Sequence, residues 1–267
     1  MNEKYIDIEW LEGTIPTIIT IPKNFNNTLV LMLHAHASEK NESGFYTNLA
    51  QELANKGIMS ARFDFIGCGD SKIPFKRNSI YNMSLCVKEV YDYITNNYDI
   101  NKNNTTLLGF SMGARVALHC IDFINPNSLV LLSPAIENGD DMLKRIFGED
   151  YLDKYEIAKE KYEFTYVDKS NNTLTVGPSF FKDIRLSNPS LVIKYYTNNL
   201  SVIYPENDQI INPNIQKEFI NHAINAKNKN VVMINNATHN MNIGAKDKTL
   251  ENHVLSVVYN EIINNLK

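Results

Sequence analysis

The sequence predicts an α/β fold: a mostly parallel central sheet with helices on both faces and one inserted cap. Three observations lead there. Five short β-type apolar runs recur along the chain, "TLVLMLH" (28–34), "GIMSARFDF" (57–65), "TTLLGF" (105–110), "SLVLLS" (128–133) and "LSVIYPEND" (200–208). Most are separated by segments whose apolar residues fall at helical spacing, and that alternation implies parallel strands covered by crossover helices. Ahead of them, "YIDIEW" and "TIPTIITIP" alternate with period two around Gly13, which reads as an antiparallel hairpin. Between Ala135 and about Ser187 the rhythm is lost.

The helices are legible in turn. In "SGFYTNLAQELANKG", Phe45, Leu49 and Leu53 share a face and Gly57 supplies the stop. "SLCVKEVYDYITNNY" is the second helix, and a third begins at Ser111. A further short strand is expected in "VVMINNATHNMN". The chain therefore divides into a core of residues 1–134 and 188–267 and a cap insertion at 135–187, set over the C-terminal edge of the sheet. The cap aromatics include Tyr151, Tyr155, Tyr162, Phe164, Tyr166, Phe180 and Phe181. A small inserted subdomain must bury something of its own, so most should form its core, and the rest are candidates to line an acyl or aryl pocket.

Length and composition bound the function. A chain of 267 residues with 43% apolar and 21% charged residues can bury one sizeable core. Lys and Arg number 26 against 30 Asp and Glu, a net charge of −4, and the basic residues form no long run, which disfavours nucleic acid and acidic lipid as partners. Cys68, Cys86 and Cys120 are an odd set without metal-type spacing, so neither a disulfide framework nor a metal site is expected. The opening "MNEKYIDIEW" lacks the features of a signal peptide, and no run reaches the ~18 apolar residues of a membrane span. A cytoplasmic protein without membrane insertion is the expectation.

The chemistry concentrates in Gly109-Phe110-Ser111-Met112-Gly113, a G-x-S-x-G pattern directly after a predicted strand and directly before a predicted helix. A turn that sharp strains the serine backbone and brings residues two positions away into collision, so Gly109 and Gly113 are required on either side. The helix N-terminus then favours developing negative charge. Read structurally, Ser111 would be an ordinary N-cap. A nucleophile needs a base and the base an orienting carboxylate. Asp208 closes one predicted strand and His239 follows another, both at the sheet edge where Ser111 lies, in the order serine, acid, histidine. Glu206 is the rival acid; Asp208 is preferred because it reaches further into the loop. His119, His222 and His253 fall in helical segments and fit less well.

On these residues the sequence resembles the α/β-hydrolase superfamily over nearly its whole length. It looks most like the small bacterial cinnamoyl/feruloyl esterases and serine-aminopeptidase-like hydrolases. The likeness rests on "LMLHAHASEKNESGFYTNLAQELANKGIMSARFDFIGCGDS", "GFSMGA", "PENDQII" and "ATH". "RFDFIGCGDS" is similar to that group's R-x-D-x-x-G-x-G-x-S rim segment. His34-Ala35-His36-Ala37 stands where the group has its H-G-x-G loop, which implies the backbone N–H groups of His36 and Met112 as oxyanion donors. Alanine replaces the usual glycine at 35, and a positive φ there would be strained. His34 is expected to satisfy loop carbonyls instead of taking part in chemistry. The cap also vaguely resembles that of the bacterial-luminescence acyltransferase/thioesterase.

The expected function is hydrolysis of carboxylic esters through a Ser111–His239–Asp208 triad and an acyl-enzyme, with no cofactor and a small-molecule ester or thioester as partner. An acyl-thioesterase or acyltransferase with the same triad is the alternative. A non-catalytic binding protein on this fold is disfavoured by the complete serine–acid–histidine order. A nucleotide-binding protein is disfavoured because no G-x-G-x-x-G or P-loop follows the first parallel strand. Oligomeric state is left open, with a homodimer among the states allowed.

Overall fold

The computed structural model describes residues 1–168 and 171–266. Strands β1 (Asn2–Trp10) and β2 (Gly13–Ile21) form the N-terminal hairpin, with Trp10 opposite Gly13. The chain continues through β3 (Leu29–Leu33), helix α1 (Phe45–Asn55), β4 (Met59–Phe63), α2 (Ile80–Asn97), β5 (Thr105–Phe110), α3 (Met112–His119), the one-turn α4 (Ile121–Ile124) and β6 (Ser128–Leu132). Next come α5 (Gly139–Phe147), α6 (Tyr151–Lys161), a small hairpin β7 (Phe164–Val167) and β8 (Thr173–Val176), α7 (Pro178–Leu186) and the short α8 (Pro189–Val192). The chain closes with β9 (Asn199–Asn207), α9 (Pro213–Phe219), β10 (Asn228–Thr238) and α10 (Lys248–Asn264).

Eight strands make one sheet in the order β1-β2-β4-β3-β5-β6-β9-β10. From β4 to β10 every neighbouring pair is parallel; β2 runs against both of its neighbours. This is the α/β-hydrolase arrangement. The central strands β3, β4, β5 and β6 are buried on both faces, whereas the edge strands β1 and β10 are largely exposed, and alternate side chains divide between two cores. Leu29, Leu31 and Leu33 join the α2 and α3 side, while Val30 and Met32 join Leu49 and Leu53 of α1 and Val254 and Val258 of α10.

Element ends shift by a few residues from the sequence expectation, each for a local reason. Helix α2 begins at Ile80 because the Ser79 side chain accepts from the Asn82 amide as an N-cap. Helix α1 stops before Gly57, whose φ of +78° is left-handed and whose Cβ position lies 2.4 Å from the Asn24 carbonyl oxygen. β10 is longer than expected and its register slips between Ile234 and Thr238, a bulge that re-aims the segment carrying His239.

Elements α5 to α7 leave the sheet between β6 and β9. The buried Arg115 of α3 gathers both ends of that excursion: its guanidinium donates to the carbonyls of Ala135 (2.8 Å) and Glu137 (3.0 Å) and to Ser187 Oγ (2.8 Å). Phe147, Tyr155 and Phe181 stack within the excursion, Phe181 lying 4.4 Å from Phe147 and 5.5 Å from Tyr155 between ring centroids. Phe164, Phe180 and Tyr166 pack edge-on around Phe147, whereas Tyr162 is exposed.

Candidate active site

Ser111 sits between β5 and α3 with φ +51° and ψ −110°, outside the regions ordinary residues occupy. The turn is held by Ser111 N–H to Leu132 O (2.9 Å) and by Ala114 and Ala135 N–H to Ser111 O (3.1 Å each). The flanking glycines are there for space. A Cβ on Gly109 would stand 2.4 Å from the Gly113 carbonyl oxygen, and one on Gly113 would stand 2.1 Å from that of Leu33. The sequence motif thus reflects how closely β5, α3 and β3 approach.

The three expected side chains meet. His239 Nε2 lies 3.0 Å from Ser111 Oγ and its Nδ1 lies 2.8 Å from Asp208 Oδ2. Asp208 also accepts from the Ile210 and Ile211 amides at 2.8 and 2.9 Å and from Gln216 Nε2 at 2.8 Å. Burial opposes its ionisation, but the His239 hydrogen bond and charge and the two amides hold its carboxyl below the usual range. An ionised Asp208 only accepts, so the His239 proton belongs on Nδ1, leaving Nε2 a lone pair for the serine hydroxyl. The His239 carbonyl is itself held by Ser133 Oγ at 2.8 Å.

Glu206 lies elsewhere: it accepts from the Asn236 amide (2.9 Å) on the exposed side of the β10 bulge. His34 is fully occupied, Nδ1 donating to the Ala35 carbonyl (2.7 Å) and Nε2 accepting from the Phe65 amide (3.0 Å). His119 closes α3, His222 ends a short turn after α9 and His253 lies in α10. Among the described residues, no three His, Cys, Asp or Glu side chains are placed to hold a metal ion.

A cavity of about 270 Å³ opens over Ser111 and His239, walled by His36, Arg145, Tyr166 and Ile210. Tyr166 is the hairpin aromatic that reaches it, its hydroxyl 3.0 Å from His36 Nε2. Burial lowers the His36 imidazole to about 4, so the ring is neutral at pH 7. Among the described residues neither the His36 nor the Met112 backbone N–H has a protein hydrogen-bond partner, and Met112 is the first residue of α3. In the loop before them, Ala35 keeps an ordinary φ; the left-handed residue is Ala37, at +52°.

Tyr166 is one of the cap aromatics the sequence offers for a pocket, whereas Gln216 and Arg115, which complete the surroundings, carry no motif. Of those two only Arg115 leaves a signal, a charge inside the apolar run of "MGARVAL".

The family described as serine aminopeptidase, S33, matches residues 26–160, just over half of the chain. The chain belongs to this family of α/β hydrolases. No curated relative matches this S33-family hydrolase in sequence. Among solved structures it is similar to the esterase Est1E of Butyrivibrio proteoclasticus with ferulic acid bound, at 17% identity and TM-score 0.70, covering 97% of this chain and 99% of that one. A putative hydrolase of Agrobacterium vitis is similar at 16% identity and TM-score 0.74, over 100% and 99% of the two chains. An esterase of Pyrococcus furiosus is similar at 19% identity and TM-score 0.67, over 100% and 93%. At these identities the likeness is one of fold. Among the described residues no helix of the S33-family hydrolase is long and apolar enough to cross a membrane.

Proposed function

We propose that this hydrolase cleaves carboxylic esters through an acyl-enzyme. The observation that carries this reading is the continuous chain of hydrogen bonds from Ser111 Oγ through His239 to Asp208, with the serine held in a strained turn at the mouth of a cavity. In the reaction, His239 Nε2 takes the Ser111 proton as Oγ attacks the carbonyl, and Asp208 keeps the imidazole in the right tautomer and stabilises its charged form. The N–H groups of His36 and Met112 receive the oxyanion. His239 then hands its proton to the leaving alcohol. Water, deprotonated by the same histidine, releases the acid.

The excursion of residues 135–187 acts as a cap, with Arg145, Ile146 and Tyr166 facing the acyl group. The three cysteines are unpaired and buried, which supports a reducing compartment such as the cytoplasm.

The test is labelling by an active-site fluorophosphonate combined with turnover of 4-nitrophenyl acyl esters, methyl hydroxycinnamates and acyl-CoA thioesters. Ser111→Ala should stay folded, lose the label and fall by about four to six orders of magnitude in kcat on the best ester. Retention of a tenth of the activity would remove Ser111 from the nucleophile role. A clear preference for the thioesters would move the substrate class to acyl-thioesters with the same residues in the same roles.

A further inference from the structure

The loop that carries His36 is built without the glycines its shape favours. Ala35 and Ala37 occupy the two glycine positions of the H-G-x-G pattern, and Ala37, Glu42 and Ser43 take φ values of +52°, +46° and +53°. Left-handed backbone at three non-glycine residues persists only where surrounding contacts over-determine it. Two carboxylates supply such contacts: Glu39 accepts from the Asn41 and Ser43 amides at 2.7 and 3.0 Å, and Glu42 holds the part of the loop around His36. Glu42 is buried, its Oε2 accepts from the Ala35 amide at 2.8 Å, and its Oε1 accepts from Ser38 Oγ at 2.8 Å. The carboxylate therefore grips the chain on both sides of His36, one residue before and two after. The Ala35 carbonyl, on the same peptide as the His36 N–H, accepts from His34 Nδ1 at 2.7 Å and from Ser38 N–H at 3.3 Å, so Glu42 grips the two flanks of a peptide that His34 holds from one side.

We propose that Glu42 is a positioning residue: it fixes the orientation of the His36 amide so that this N–H points at the oxyanion. The proposal rests on the reading of Ser111 as nucleophile and His36 N–H as donor. The Tyr166 hydroxyl touches only the His36 ring, and it comes from the cap, so it does not fix the peptide plane. A donor aimed at the oxyanion strengthens its bond only as negative charge develops, so its misplacement lowers kcat while leaving ground-state binding nearly intact. A side chain that merely stabilised the fold would instead reduce the number of active molecules.

The test compares Glu42→Ala with Glu42→Gln in the full chain, counting active sites by fluorophosphonate labelling. Glutamine keeps an acceptor for the Ala35 amide and presents an N–H to Ser38 Oγ, so it preserves the grip. Glu42→Ala should lose ten- to a hundredfold in kcat per labelled site with KM within threefold, and lose the same factor in affinity for a trifluoromethyl ketone, which places an oxyanion on the serine adduct. Glu42→Gln should stay within threefold of wild type in all three. Should the alanine variant not fold, Glu42→Asp, one methylene too short to span both partners, carries the alanine expectation. Unchanged kcat per labelled site in the truncated variant, or a glutamine variant as impaired as the alanine one, overturns the positioning role. A wild-type protein that neither labels nor turns over any ester overturns the Ser111 reading and this proposal with it, an outcome visible before any Glu42 variant is made.

Discussion

Replacing Asp208 by asparagine isolates what a single carboxylate contributes. The amide oxygen would still accept from the Ile210 and Ile211 N–H groups, but its nitrogen, in the place of Oδ2, would face the donor Gln216 Nε2 and present a donor to His239, favouring the wrong tautomer. The expected result is a fall in kcat of roughly 10⁴, read with a 4-nitrophenyl ester, and a fall of less than tenfold for Glu206→Gln. The reverse ranking would give Glu206 the acid role. Asp208, Ser111 and His239 were legible because strand ends can be found from apolar patterning, and the chain order of three such ends is a strong constraint. Gln216 was not legible. It lies eight residues past Asp208 in a short helix, and only the folding of α9 against β9 turns its amide toward that carboxylate.

At the scale of elements, the turns proved more readable than the loops. Glycine on both sides of Ser111 reports a close approach of backbones, and the spacing alone announces it. The 34–43 loop reports nothing of the kind, because its shape is imposed by side chains within it, of which Glu42 grips the part around His36, and not by residue types suited to its dihedrals. Glu42 has a thermodynamic signature. Burial first, and then the like charge of Glu39, raise the Glu42 carboxyl from its ordinary 4.5 to about 7, against the opposing hydrogen bonds from Ala35 and Ser38. The other titratable groups facing it are Tyr46 of α1 and Cys68 of the loop after β4, both neutral at these pH values. The folded protein thus binds a proton more tightly than the unfolded chain. Stability from this group is full below pH 4.5 and is lost as pH rises through 7. Urea unfolding of wild type against Glu42→Gln should show the difference shrinking by about 3 kcal/mol between about pH 4.5 and 7.5. A difference that grows with pH would mean the carboxyl is ionised throughout.

For the whole molecule, the question is what the excursion between β6 and β9 contributes. Its stacked Phe147, Tyr155 and Phe181 are continuous with the apolar core on the α2 and α3 side of the sheet, and only a few of its side chains reach the cavity over Ser111. Replacing residues 139–186 with a short Gly/Ser linker, while keeping the Ala135, Glu137 and Ser187 partners of the buried Arg115, should leave the core able to hydrolyse a small acetyl ester. Removing each side chain that walls the acyl group should cost about 1–3 kcal/mol of discrimination, so chain-length preference should flatten by about tenfold to 200-fold. A folded, active variant with unchanged preference would show that selection happens elsewhere. The meeting of both stems on Arg115 has a further consequence. Since the chain departs and returns at one guanidinium, the cost of closing the intervening segment grows only slowly with its length, by about 0.6 kcal/mol per doubling. Closure at Arg115 therefore sets little limit on how long an insert can be. An insert of another length grafted between the same two stems would remove the contacts that Tyr166 and Phe180 make with the His36 ring, while the hydrogen bonds joining Ser111, His239 and Asp208 all lie outside it.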